Sequence, residues 1–188
     1  AAISARSACR AIGRGMTDLA EFSRFFSLAE IGTSPRRVTV AAEPSECSAL
    51  ATRFGLASLE RLDASADLMV VDGVVEANGS MSARLTQTCV ATGQPLEASL
   101  DAPFQIRFEP PFAGAVDEEI ELSAADCDVM EHDGQAIDLG EAVAQTLGLS
   151  IDPFPRAANA DEVLGAAGVL GEADASPFAK LKGLFGQD

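Results

Sequence analysis

The densest group of chemistry-bearing residues in this chain is Asp117-Glu118-Glu119-Ile120-Glu121. Carboxylates so close together could hold a divalent cation or divide acid and base roles, since in a strand Glu119 and Glu121 fall on one side. A hydrolytic metal centre, however, usually draws carboxylates from several elements and often a histidine, and His132 is the only histidine. Read without chemistry, the same run is a charged strand edge that discourages strand-to-strand association. The cysteines Cys9, Cys47, Cys89 and Cys127 stand far apart with no C-x-x-C pair. Cys89, Cys127 and His132 offer three ligands where zinc takes about four. No phosphate-cradling loop, nucleophile elbow or dinucleotide fingerprint is present. These residues therefore imply no cofactor, no metal and no catalytic residue, and the chain reads as a non-enzyme.

The elements that must position such residues are legible in part. Val38 and Val40 alternate with Arg37 and Thr39, as in a half-buried strand. A helix is predicted over 44–54: Pro44 suits its first position, and Glu46 favours its positive end. Cys47, Leu50 and Phe54 share a face of that helix, where Cys47 acts as a small buried hydrophobe, and Gly55 ends it. Strands at 66–71 and 74–89 are joined by the tight-turn pair Asp72-Gly73, with Gly79 marking a bulge. Phe104, Ile106 and Phe108 alternate with Gln105 and Arg107 in a period-two strand. Short strands are expected at 118–122 and 128–132, the latter closing at His132-Asp133-Gly134. A second helix is predicted at 138–148, with Asp138 as its cap, Glu141 completing a capping-box pattern and Gly148 at its exit. The fold class is α+β, mainly an antiparallel sheet, partly closed or barrel-like, with two short packed helices. Its core candidates are Val38, Val40, Leu50, Phe54, Leu68, Val70, Val75, Phe104, Ile106, Phe108, Leu139, Val143 and Leu147.

Charge sets the choice of partner. The net charge is −16, from 29 acids and 13 bases among 188 residues. Residues 1–15 carry Arg6, Arg10 and Arg14 and no acid, so everything from Met16 onward stands at −19. A phosphate backbone repels such a surface, because nucleic-acid affinity comes largely from Lys and Arg displacing counterions. A basic protein is attracted by the same field. Aromatics are 5%, all Phe, with no Trp or Tyr to stack on bases. No uncharged apolar run approaches a membrane span, and the dispersed cysteines suit free thiols in a reducing cytoplasm. Residues 1–15 are Arg-, Ser- and Ala-rich like an organellar transit peptide, and read better as an extension or tag outside the fold. Residues 16–156 form the expected single domain. Residues 157–188 form a flexible acidic tail with a short terminal helix at 176–185.

Two stretches together resemble a known family. From Val75 to Leu96, VEANGSMSARLTQTCVATGQPL, a strand ends in a cysteine motif and a turn leads into the next strand. From Ile137 to Pro155, IDLGEAVAQTLGLSIDPFP, an Ile-Asp-Leu start opens a helix with a Leu-rich, Pro-ended exit. Both are similar to the bacterial YceD family, the large ribosomal RNA subunit accumulation proteins. The EFSR segment from Glu21 and the closing PFAKLKGL widen the resemblance to roughly Glu21–Leu184. One departure stands out. Many members carry C-x-x-C at the turn, whereas this chain has Cys89 followed by Thr92, so a metal or redox role for the pair loses its second ligand.

The resemblance implies a role in assembly or processing of the large ribosomal subunit, without catalysis. The family's gene commonly neighbours that of a small basic ribosomal protein. The expected partner is accordingly a ribosomal protein or pre-ribosomal particle, with direct RNA binding disfavoured by charge and neither DNA nor membrane involved. The residues expected at the partner surface are Arg84, Cys89, Thr92, Gly93, Arg107, Glu118, Glu119, Glu121, Asp138 and Glu141. Two alternatives stay open: a metal-dependent RNA hydrolase using the acidic cluster, and a general acidic adaptor.

Overall fold

A computed structural model describes residues 21–110 and 128–169. In chain order the elements are β1 (Phe25–Ser27), β2 (Arg36–Ala41), α1 (Pro44–Arg53), β3 (Ser58–Val71), β4 (Val74–Thr88), β5 (Pro95–Glu109), β6 (Val129–Glu131), β7 (Ala136–Asp138), α2 (Leu139–Ser150) and α3 (Ala160–Ala166). They fall into two compact units. The larger takes 21–86, 97–110 and 128–151; the smaller takes 87–96 and 152–169.

The larger unit is built on a five-stranded sheet of order β2-β3-β4-β5-β6, beside a small β1–β7 pair. The long β3–β4 hairpin turns at Asp72 and Gly73, both at positive φ (51° and 85°), the backbone of a type I′ turn. Its register runs Val71 opposite Val74 through Leu62 opposite Ala83. Gly79 sits inside that unbroken ladder opposite Ala66, so it is not the expected bulge. The register shift lies instead between Leu59 and Arg61. Alternation decides which face is buried. Val38, Val40, Leu62, Ala64, Ala66, Leu68, Val75, Ala77, Met81, Ala83, Phe104, Ile106 and Phe108 all join one core, and each large apolar side chain removed from water contributes about 1.5–3 kcal/mol.

The α+β class stands, with two corrections. The pairs β2–β3, β3–β4 and β1–β7 are antiparallel, but β5–β6 is parallel. The sheet is also open rather than partly closed. A barrel needs its first and last strands to pair; here β2 pairs with β3 and β6 with β5, and the two edges do not meet among the described residues.

Both expected helices are present. Gly148 does not end α2, which continues to Ser150. It serves close packing instead: a Cβ there would lie 2.7 Å from Cε1 of Phe54. Eleven of the thirteen core candidates are buried, while Phe54 and Val70 are half-buried. Phe22, Ile31, Met81 and Leu85 complete the core alongside them. In the smaller unit, α3 is a seven-residue helix within the 157–175 stretch that reads as flexible. The expected extension at 1–15, strand at 118–122 and helix at 176–185 lie outside the described residues.

Candidate functional site

In the larger unit, charged groups gather where the segment from Glu21 to Ser27 meets the two helices. Asp138 is the residue before α2, and its Oδ1 accepts from three backbone N–H groups: Gly140 (3.0 Å), Glu141 (3.2 Å) and the distant Arg24 (2.8 Å). The first two satisfy the open N-terminal turn of the helix. The third fastens the segment leading into β1 to it. Leu139 N–H returns a bond to Arg24 O at 3.0 Å, and Phe26 pairs with Ile137. Gly140 is required here, because a Cβ would fall 2.6 Å from Arg24 N and 2.7 Å from Phe22 O.

Arg24 then reaches α1. Its two terminal nitrogens donate to Oε1 and Oε2 of Glu46, each at 2.7 Å, and also to the carbonyls of Ser23 and Ala41. The guanidinium lies 4.6 Å from the Phe22 ring centroid, close enough for a cation–π contribution. Glu46 in turn accepts Glu43 N–H at 2.7 Å, the return half of a capping box. Bonded to this guanidinium, the Glu46 carboxyl is held below its ordinary pKa, and Arg24 is raised above its own.

A second tie runs from the last turn of α1 to the first turn of α2. Arg53 donates to both oxygens of Glu141, at 2.7 and 2.8 Å, and to Glu21 at 3.1 Å. The Arg53 hydrogen bonds lower the Glu141 pKa and more than offset the desolvation that opposes them. Glu141 therefore turns outward to Arg53, not back to the helix cap as a capping box would require. The caps of α1 and α2 differ in this respect. Held ionised by guanidinium partners, Glu46 and Glu141 are suited to tying elements together.

In the smaller unit, the chain turns tightly at Cys89. Cys89 N–H donates to Gln94 O at 2.8 Å, and Gly93 N–H donates to Cys89 O at 2.9 Å, with Gly93 at φ 72°. The Thr92 hydroxyl accepts Gln94 N–H at 3.4 Å and donates to the Cys89 sulfur. Ala157 N–H also donates to Sγ at 3.3 Å, and Val90 N–H to Pro155 O at 2.9 Å. Cys89 is only 2% exposed, and loss of water works against its charged form. The donors prevail: the Thr92 hydroxyl first, then Ala157 N–H, bring the thiol down to about 7. Cys47 behaves oppositely, its thiol raised by burial on the inner face of α1. Thr92 thus supplies a hydrogen-bond donor to the sulfur in the position where the family resemblance would put a second thiol.

The expected surface residues therefore separate. Cys89, Thr92 and Gly93 form the turn; Asp138 and Glu141 form the start of α2. Arg84 is exposed on β4, opposite Arg61, and makes no ion pair among the described residues. Arg107 on β5 pairs with Glu109 at 2.8 Å. Glu118, Glu119 and Glu121 lie outside the described residues, as does Cys127. His132 accepts Gly134 N–H through Nδ1 at 2.9 Å and helps close the turn before β7. Asp133 beside it is lowered by the N–H groups of Gln135 and Ala136. Sequence reasoning missed Arg24, Arg53 and Glu21. Their partners stand far along the chain, and only the Arg beside Phe in EFSR and TRF hinted at stacking.

The fold and these clusters define a small acidic α+β protein in which the Arg24–Glu46 and Arg53–Glu141 pairs tie its elements together. The chain belongs to the YceD family: the family model described as Large ribosomal RNA subunit accumulation protein YceD matches residues 77–185, more than half its length. That match takes in both the Cys89 turn and α2; the resembling EFSR segment lies before it. No curated protein and no solved structure matches the chain.

Proposed function

We propose that this chain is a non-enzymatic factor of ribosome biogenesis. It supports synthesis, processing or accumulation of large-subunit ribosomal RNA by binding a ribosomal component, a basic ribosomal protein above all. The observation that carries this reading is the family match over 77–185, whose description names that RNA. Charge selects the kind of component: at −16 the protein attracts basic proteins and repels phosphate. The engagement of Glu46 by Arg24 and of Glu141 by Arg53 supports binding over acid–base chemistry. The work of such a factor lies in the cytoplasm.

Affinity purification of the tagged protein from its own cells, with bound proteins and bound RNA both identified, tests this reading. Large-subunit proteins recovered at moderate salt and retained after ribonuclease treatment are the expected result. RNA retained by the purified protein at moderate salt would overturn the preference for a protein partner. Normal subunit ratios and normal large-subunit RNA in a deletion strain would overturn the ribosomal role itself.

A further inference from the structure

The larger unit carries an open groove of about 1590 Å³ along the middle of β2–β5, rimmed by the Arg24–Phe26 segment and the start of α1. Small-molecule pockets commonly enclose roughly 300–1,000 Å³, so this one has the room and openness for a length of extended chain. Its lining carries five carboxylates (Glu43, Glu46, Glu60, Asp63 and Asp101) against the guanidiniums of Arg24 and Arg61, a balance of minus three. Both guanidiniums are engaged, Arg24 by Glu46 and Arg61 by Asp63. Glu43, Glu60 and Asp101 are exposed and make no ion pair among the described residues, although Glu60 Oε1 accepts from the Ser58 and Thr86 hydroxyls. At the rim stands Phe25, 67% exposed although it is a large apolar ring. Hydroxyls of Thr39, Ser65 and Ser80 also line the groove, in one cross-strand row.

We infer that this groove takes an extended, Lys/Arg-rich protein segment. Ammonium or guanidinium groups would meet the three carboxylates that make no ion pair, and the aromatic face of Phe25 would receive a cation or its aliphatic stem. The hydroxyl row offers hydrogen bonds to a peptide backbone. Phosphate groups would meet the same carboxylates unfavourably, which argues for a basic protein segment over RNA. The assignment rests on the reading above that the partner is basic, and it adds the place where that partner docks.

The test uses the full chain and a short fluorescent peptide of alternating Lys and Ser, followed by anisotropy. The triple variant Glu43→Gln, Glu60→Gln, Asp101→Asn neutralises the three groove carboxylates that make no ion pair while keeping an acceptor oxygen at each, and should weaken binding about tenfold if each exposed contact contributes a few tenths to 1 kcal/mol. The comparator Asp72→Asn, Glu76→Gln, Glu97→Gln removes the same charge from residues that do not line the groove, and should change binding less than about twofold. Phe25→Ala should weaken it about threefold. Equal weakening by both triple variants would overturn the groove, as would binding of a single-stranded RNA oligomer that the groove variant loses. If cell extracts yield large-subunit proteins equally with the wild type and the groove variant, the groove assignment falls and the biogenesis reading stands. If the peptide binds in the groove and no large-subunit component is recovered, the biogenesis reading falls and the groove stands.

Discussion

Arg53 and Glu141 meet as a two-point pair, with Nη1 2.8 Å from Oε2 and Nη2 2.7 Å from Oε1. The pair joins the end of α1 to the beginning of α2 across 88 residues of sequence. Its geometry suits both helices, since a cation favours a helix C-terminus and a carboxylate an N-terminus.

Removing one partner tests that tie. Both side chains keep contact with water, 30% and 19% exposed, so screening holds the loss to about 1 kcal/mol for Arg53→Met. Urea unfolding at neutral pH measures it. Glu141→Gln should cost about as much, and the double variant clearly less than the sum, because the two act as one interaction.

The same pair sets an acid dependence. The Glu141 and Glu46 pKa values are depressed in the folded protein. Their contribution is therefore present above the unfolded glutamate value of about 4.3, and is lost as pH falls through the folded values. Unfolding midpoints taken from neutral to acid pH should drop below roughly pH 4. Glu46→Gln with Glu141→Gln should start lower and fall less steeply.

Gly140 should not accept even alanine. A helical Gly→Ala change ordinarily stabilises by about 1 kcal/mol. Here the added carbon meets backbone at Arg24 N and Phe22 O, which cannot swing away as a side chain can. Gly140→Ala is expected to destabilise by about 2 kcal/mol. Thermal unfolding checks the sign, and amide exchange at Arg24 and Leu139 should rise with it.

The Cys89 thiol should titrate near neutrality. With a value of about 7 set first by the Thr92 hydroxyl, thiolate absorbance in the ultraviolet, taken as the difference from Cys89→Ser, should rise through that pH. Thr92→Val removes the main donor and should move the rise toward the ordinary cysteine value of about 8.5. Since the folded value is depressed, the thiolate adds stability that is present above about 8.5 and lost as pH falls through 7.

What could be read from the sequence was local. Asp72-Gly73 marks the hairpin because a type I′ turn needs two residues tolerant of positive φ. Pro44 and Asp138 mark helix starts because capping acts within one turn. The period of Phe104, Ile106 and Phe108 reports which face is buried. The errors came where a distant part of the chain decided the outcome. Gly148 reads as a stop until the ring of Phe54 is seen against it, 2.7 Å from where a Cβ would be. Glu141 reads as a capping-box partner until Arg53 claims it. Parallel pairing of β5 with β6 leaves no signature in so short a strand. Of the candidate site, the Cys89 turn was legible through its Gly and Pro punctuation, whereas the Arg24 and Arg53 ties had no spacing signal at all.

The bond from Arg24 N–H to Asp138 also orders events in time. The two residues are 114 positions apart, and a ribosome adds about 5–20 residues per second. The early strand must therefore wait on the order of 6–20 s after its own synthesis before its partner exists. Until then Phe22 and Phe26, buried in the finished fold, have no α2 to cover them. The emerging chain is left with a sticky leading segment for that interval, and completion of α2 is the step that withdraws it from unwanted company.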